Sequence, residues 1–304
     1  MLKQILSPSI LQQINYINYS TLYEVRLRLN QPLIVNICGE NKVLDYIVKQ
    51  SDIEYVLNKC SNDSLYTVND QITNGYICMD RGVRVGVCGE IVTVDGKIKT
   101  IKNITSLNIR VPHFIKNCSL NIFNQIVYGG KINNTLIISP PGMGKTTMLR
   151  DIIYQLGLRT PNFNILIADE RNEIAIPDLP LKNADIFVRC SKKYAFVNGL
   201  RSMRPDILVT DEINYDNDIE TLLYATTCGV KVIATMHAKN IDDIRNRPNM
   251  QYIINNKLFD RYIILSDSNG VGSVDGVYNA NLECVFIWNI YYFLYYFHYV
   301  LELD

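Results

Sequence analysis

At 304 residues the chain has room for two ordinary domains, each with its own buried core. Its 30 Lys and Arg residues balance its 30 Asp and Glu residues, so there is no global basic field of the kind that draws a protein to nucleic acid. The eight cysteines, at positions 38, 60, 78, 88, 118, 190, 228 and 284, are scattered with no C-x-x-C pair, which argues against both a zinc site and a disulfide framework and for reduced thiols packed as small hydrophobes.

The N-terminal MLKQILSPSILQQ meets Ser-Pro after a short apolar stretch and does not read as a signal peptide, so the body of the protein is expected in the cytoplasm. Residues 1–125 alternate apolar and polar positions in LYEVRLRL, PLIVNICGE and GVRVGVCGEIV, with a turn at Asp95-Gly96. Between these runs, SDIEYVLNKCS predicts a short helix with Ser51 as N-cap and Glu54 completing a capping box. The first part is therefore expected to be an α+β domain. A helix over 119–128 and the turn Tyr128-Gly129-Gly130 lead into a different rhythm. TLIIS, NILIAD, DIFVRC, ILVTDE, KVIATMH and RYIILS are continuous apolar runs separated by helical stretches. Continuous hydrophobicity marks strands buried on both faces, so residues 126–283 read as an α/β domain with a parallel-strand-rich sheet. From Cys284 to Leu301 the chain carries no Asp, Glu, Lys or Arg and is rich in Tyr and Phe. A spanning helix needs roughly 20 mainly apolar residues, so packing on the domain, or a tail of accidental sequence, is preferred for 284–304 over membrane contact.

The chemistry concentrates in the second domain. Ser139-Pro140-Pro141-Gly142-Met143-Gly144-Lys145-Thr146, continued by Thr147, matches G-x-x-x-x-G-K-[ST] with Ser in place of the first Gly. It falls between a predicted strand and a helix over 145–157, where backbone N–H groups and the helix dipole converge on a phosphate. Lys145 is expected to reach the β- and γ-phosphates of ATP, and Thr146 to hold Mg²⁺. The run ILVT ends in Asp211-Glu212, at the carboxyl end of a strand, where open α/β sheets bind ligands. Asp211 is assigned to magnesium and Glu212 to polarising water. Asp169-Glu170-Arg171-Asn172-Glu173 closes another strand; Glu170 is preferred over Glu212 as the group that orients the attacking water, with Glu173 as a further candidate. His237, at the end of KVIATMH, is a candidate sensor of the γ-phosphate, whereas His113 and His298 have no comparable context.

SPPGMGKTT, ADERNEIA, LRSMRPDILVTDEI and IATMHA stand in the order of the phosphate loop, Asp box, magnesium-binding strand end and His box of the secretion-type ATPases, which the chain resembles. Through EVRLRLNQPL, ITNGYI, GVRVGVCGEIV and NITSLNIRVPH it is similar more narrowly to the stage III sporulation AA family of endospore-forming Firmicutes, over about residues 20–280. The resemblance implies a RecA-like P-loop ATPase domain, a homo-hexamer, and arginines supplied in trans from the N-terminal domain, for which Arg26, Arg28, Arg84 and Arg110 are the candidates. It also implies membrane-embedded channel components as partners, and a place on the mother-cell side of the forespore membranes. Ser139 and the aromatic tail depart from the family pattern. A RecA-like nucleic-acid motor and a nucleotide-binding scaffold with little turnover are the competing functions; the neutral charge balance counts against the former.

Overall fold

The two rhythms of the sequence correspond to two sheets. The computed structural model describes residues 2–61, 68–79, 82–176, 179–213 and 215–287. It divides after His113 into two compact units. The boundary expected at 125 therefore lies earlier. The reason is physical: the helix Leu120–Ile126 buries Ile122, Phe123 and Ile126 among second-unit residues such as Leu149 and Ile152.

In the first unit, β1 (Leu22–Arg28), β2 (Pro32–Ile37), β3 (Glu40–Ile47), β4 (Tyr76–Cys78), β5 (Arg84–Val94) and β6 (Lys97–Arg110) form an antiparallel sheet in the order β3-β2-β1-β6-β5-β4. Alternate residues Val25, Leu27, Val85, Val87, Leu107 and Ile109 bury one face. Onto that core the helix Gln50–Cys60 places Ile53, Val56, Leu57 and Cys60, at helical spacing. This helix starts earlier than its predicted Ser51 cap. Asp52, not Glu54, closes the first turn: its buried carboxylate accepts from Lys49 N at 2.9 Å, Ser7 Oγ at 2.6 Å and Tyr46 Oη at 2.8 Å. Burial and the neighbouring Asp52 push the Tyr46 phenol up.

In the second unit, β7 (Val127–Tyr128) and β8 (Lys131–Ile132) make a small hairpin around the predicted glycine turn. Then β9 (Thr135–Ser139), β10 (Ile165–Asp169), β11 (Ala184–Val188), β12 (Ile207–Thr210), β13 (Lys231–His237), β14 (Arg261–Ser266), β15 (Ser273–Asn279) and β16 (Cys284–Ile287) form one sheet in the order β11-β10-β12-β13-β9-β14-β15-β16. The six strands from β11 to β14 are parallel, and each matches one of the six apolar runs. Leu136, Ile138, Leu166, Leu208 and Ala234 pack on one side against the helices Lys192–Ser202 and Tyr215–Thr227. Ile137, Ile165, Ile167, Val209 and Ile233 pack on the other against the helix Lys145–Arg159. The result is a helix–sheet–helix sandwich. Sequence periodicity did not reveal that β15 and β16 continue the sheet antiparallel beyond β14. Of the 284–304 tail, Cys284–Ile287 is the edge strand β16; the remainder, with Trp288 and His298, lies outside the described residues. Among the described residues no helix is long and apolar enough to cross a membrane.

One side chain sets the register at the amino ends of the strands. Asn134 Oδ1 accepts from Val232 N (3.0 Å), its Nδ2 donates to Leu258 O (3.0 Å), and its carbonyl accepts from Asp260 N (2.8 Å) and Arg261 N (3.0 Å). Thus β9, β13 and β14 start from a common point. A second buried anchor is Asp151, in the helix Lys145–Arg159. Its carboxylate accepts from Asn117 N (2.9 Å), Ser119 N (2.8 Å) and Ser119 Oγ (2.7 Å), fixing the chain that enters the second unit. Asp151→Ala is expected to cost about 3 kcal/mol in denaturant unfolding of the full chain, because it strands buried N–H donors that now meet a charged acceptor.

Candidate active site

Parallel register brings the ends of the strands to one edge. Ser139 of β9 is paired with His237 of β13, and Thr210 of β12 with Ala234 of β13 and Ala168 of β10. The loops that follow therefore emerge side by side. The loop after β9 bends at Gly142 and Gly144, whose φ angles of 79° and 80° lie in the left-handed region that glycine enters without strain. Gly144 caps the helix that begins at Lys145, so backbone N–H groups and the helix dipole point at the loop.

Lys145 is buried, and among the described residues no carboxylate is in direct contact with its ammonium. Instead Nζ lies 3.1 Å from Ser139 O, 3.2 Å from Ser139 Oγ, 3.2 Å from Pro140 O and 2.8 Å from His237 Nδ1. As the ammonium can only donate, His237 Nδ1 accepts, which leaves the imidazole proton on Nε2. That nitrogen is 3.7 Å from Glu212 Oε1. Burial lowers the Lys145 amine to about 8, against the pull of Asp211 and Glu212, which favours the charged form.

Asp211 and Thr146 meet directly. Thr146 Oγ1 donates to Asp211 Oδ2 at 3.2 Å, while Asp211 Oδ1 accepts from Thr235 Oγ1 at 2.6 Å and from Glu212 N at 2.9 Å. Thr235 Oγ1 in turn accepts from Glu212 N at 2.8 Å, which orients the acidic pair against β13. A hydroxyl beside a carboxylate is the donor set Mg²⁺ takes when phosphate oxygens and water complete its shell. Among the described residues no group of three or more His, Cys, Asp or Glu side chains could hold a metal ion by itself. The donors present therefore fit a magnesium that arrives with a nucleotide.

The five acids of the site separate by surroundings. Asp169 is buried and accepts from the backbone N–H groups of Glu173 (2.7 Å), Ile174 (2.9 Å) and Ala175 (3.0 Å). Burial raises its carboxyl, and the three N–H groups oppose the rise. Its contacts shape the loop. Glu170, the preferred water-orienting residue, lies 3.2 Å from Lys192 Nζ, which also binds Asp218 at 3.1 Å. Glu173 meets the site through its backbone carbonyl, which accepts from Arg150 Nε at 3.1 Å and from Arg150 Nη2. Glu212 pairs with Arg171 at 2.6 Å and faces His237. Lys145, Thr146, Asp211, Glu212 and His237 thus form one connected set, and Glu170 is bound to a different helix.

Arg150 escaped the sequence reading. Its signal is a lone cation in the apolar stretch MLRDII of the phosphate-loop helix. Burial pulls its guanidinium down from the usual arginine value, while Asp211, Asp169 and Glu173 oppose the fall. It is the buried counter-charge beneath the acidic loops. In the R-x-x-R-P-D run, Asp206 Oδ2 accepts from Asn164 N at 2.7 Å, a structural tie at the start of β10. His113 is structural too: Nε2 contacts Leu22 O at 2.9 Å, and the ring lies against Tyr23.

Within the first unit, register places Arg110 opposite both Glu24 and Arg84, Arg26 opposite Asn108, and Arg28 opposite Ser106. The four candidate arginines therefore share one sheet face. Glu24 accepts from Arg26 (2.9 and 2.7 Å) and pairs with Arg110 (3.5 Å), and Arg84 stacks over the Tyr76 ring at 3.8 Å.

A phosphate loop, a facing acid pair and a sheet-edge histidine on this strand order define a P-loop ATPase fold of the RecA-like class. Solved structures agree: the ATPase DotB of Yersinia pseudotuberculosis has TM-score 0.62 and 15% identity over 91% of this chain and 81% of its own. The pilus retraction motor PilT with bound ADP has TM-score 0.59 and 16% identity over 97% and 87%. The chain belongs to the family described as sporulation stage III, protein AA, whose pattern matches residues 1–285. It is 34% identical over 270 residues to stage III sporulation protein AA of Bacillus subtilis (strain 168), covering 85% of this chain and 87% of that protein.

The lowered Lys145 amine sets a pH dependence. A polyphosphate binds the protonated form, so affinity is expected to be flat below about pH 8. Above that pH it should fall as the proton is lost, approaching about tenfold per pH unit. Titration calorimetry between pH 7 and 10 reads this directly, and Lys145→Met should bind weakly with no such slope.

Proposed function

We propose that the protein is a magnesium-dependent ATPase that works as a homo-hexamer and drives a secretion-like complex during sporulation, at the channel between mother cell and forespore. The observation that carries the reading is the convergence of Lys145, Thr146, Asp211, Glu212 and His237 at one sheet edge, in a fold shared with DotB and PilT.

Magnesium, when bound with ATP, shields the charge that builds on the transferred phosphoryl group. The protein's own groups supply the rest. The loop from Ser139 to Thr147 offers its backbone N–H groups to the phosphates. Lys145, now resting on its own loop carbonyls and His237, exchanges those neutral acceptors for phosphate oxygens. Thr146 and Asp211 hold the metal. Glu212 orients the attacking water: both glutamates are ion-paired, Glu212 with Arg171 and Glu170 with Lys192, but it is the Glu212 carboxylate that also faces His237 and so belongs to the connected set. The role given to Glu170 from the sequence passes to Glu212 on that ground. His237, between Lys145 and Glu212, links occupancy of the phosphate site to the acid that handles water. One or more of Arg26, Arg28, Arg84 and Arg110 serves the site of a neighbouring subunit, and their shared face supports this assignment.

Lys145→Ala, like Lys145→Met, should bind ATP only weakly. Glu212→Gln should bind ATP normally and hydrolyse it about a hundredfold more slowly or worse, and Glu170→Gln should lose much less. Equilibrium binding and phosphate release, measured on the same preparations, distinguish these outcomes; the reverse ranking of the two glutamates would return the role to Glu170. Mass measurement with a non-hydrolysable ATP analogue should give a hexamer, and a strict monomer under all conditions would count against the ring.

A further inference from the structure

The phosphate-loop strand β9 has β13 on one side and β14 on the other. Asp211, Glu212 and His237, the groups suited to the reacting phosphate, all belong to the β12 and β13 side. A nucleotide whose terminal phosphate meets them has room for its other end on the opposite side of β9, toward β14 and β15. What stands there is the loop of residues 267–272. A methyl group built on Gly144 would lie 3.3 Å from Gly272 Cα, 3.6 Å from Gly272 N and 3.9 Å from Val271 Cγ1, so this loop touches the cap of the phosphate-loop helix.

The loop is held in shape. Gly270 N donates to Asp267 O (3.0 Å), Gly272 N to Ser266 O (3.0 Å) and Ser273 N to Gly270 O (3.1 Å). The Ser266 and Ser268 hydroxyls reach Asp275 Oδ1 at 2.5 and 2.8 Å. From this polar, hydrogen-bonded turn one apolar side chain stands out: Val271 is 69% exposed. Exposing it costs hydration free energy that contact with a flat, weakly hydrated surface would recover.

We infer that the loop of residues 267–272 forms the wall for the nucleoside end of the bound nucleotide, with Val271 as its apolar contact to the ribose or base. The inference rests on the ATP reading above. It makes Val271 a binding residue for the nucleoside and leaves phosphate recognition to the β9 loop.

The test compares Mg-ATP with magnesium tripolyphosphate, which has the phosphates and lacks the nucleoside, by titration calorimetry on the full chain. Val271→Ser should weaken Mg-ATP about fivefold, the loss of roughly 1 kcal/mol of apolar contact. Tripolyphosphate affinity should stay unchanged, and Val271→Ile should retain ATP affinity. Equal weakening of both ligands, or of neither, overturns the inference and leaves the ATP reading standing. Failure of the unsubstituted protein to bind either ligand overturns both. Because Val271 is exposed, an unchanged thermal midpoint is expected and separates a contact effect from misfolding.

Discussion

The site is organised around a positive charge that has been taken out of water and, among the described residues, is held by neutral partners. Two carbonyls, a hydroxyl and an imidazole nitrogen surround the Lys145 ammonium, and its carboxylate neighbours stand farther off. Such an arrangement holds the cation in place without neutralising it, so the free energy spent on desolvation is recovered only when an anion arrives. Everything nearby is consistent with that demand. The helix dipole adds to the positive field, and Asp211 is occupied by Thr146, Thr235 and its own following amide.

The same economy separates acids that shape the site from acids open to reaction. Asp169 and Asp151 are buried and saturated by donors, so each fixes a loop. Glu212 stays partly exposed between a surface arginine and the histidine. Arg150 lies below, where its guanidinium tempers the repulsion among carboxylates gathered at one edge. Sequence order gives no hint of this division, since Asp169 and Glu170 are adjacent and differ only in which way they leave the strand end.

Much of the architecture was legible because it follows from the solvent. The six parallel strands announce themselves as largely apolar runs, since burial on both faces of the five inner ones leaves little room for polar residues; the edge strand β11 keeps an apolar run although it is half exposed. The phosphate loop was legible because its glycines and lysine answer to a local geometry. What stayed hidden depends on contacts between distant segments. The cap of the helix Gln50–Cys60 was read two residues too late because Asp52 draws on Ser7 and Tyr46 as well as Lys49. β15 was missed because its buried and exposed positions follow neither a strict alternation nor a continuous run, and β16, at the sheet's edge, because Cys284 and Val285 are exposed. Arg150 was missed because one charge among apolar helix positions looks like noise until the carboxylates around it are known. The domain boundary moved because Leu120–Ile126 finds its apolar partners downstream.

Asn134 carries a consequence for how the second unit can deform. One amide joins the beginnings of β9, β13 and β14, so the strand bearing the phosphate loop, the strand bearing His237 and the strand leading to Val271 are clamped at their far ends like the ribs of a fan. Sliding β9 would break its bonds to both neighbours, and sliding β13 or β14 would break that strand's bonds to Asn134. With the amino ends of the strands tied together, the carboxyl edge can change more readily by splaying or by rearrangement of its loops than by sliding of these strands.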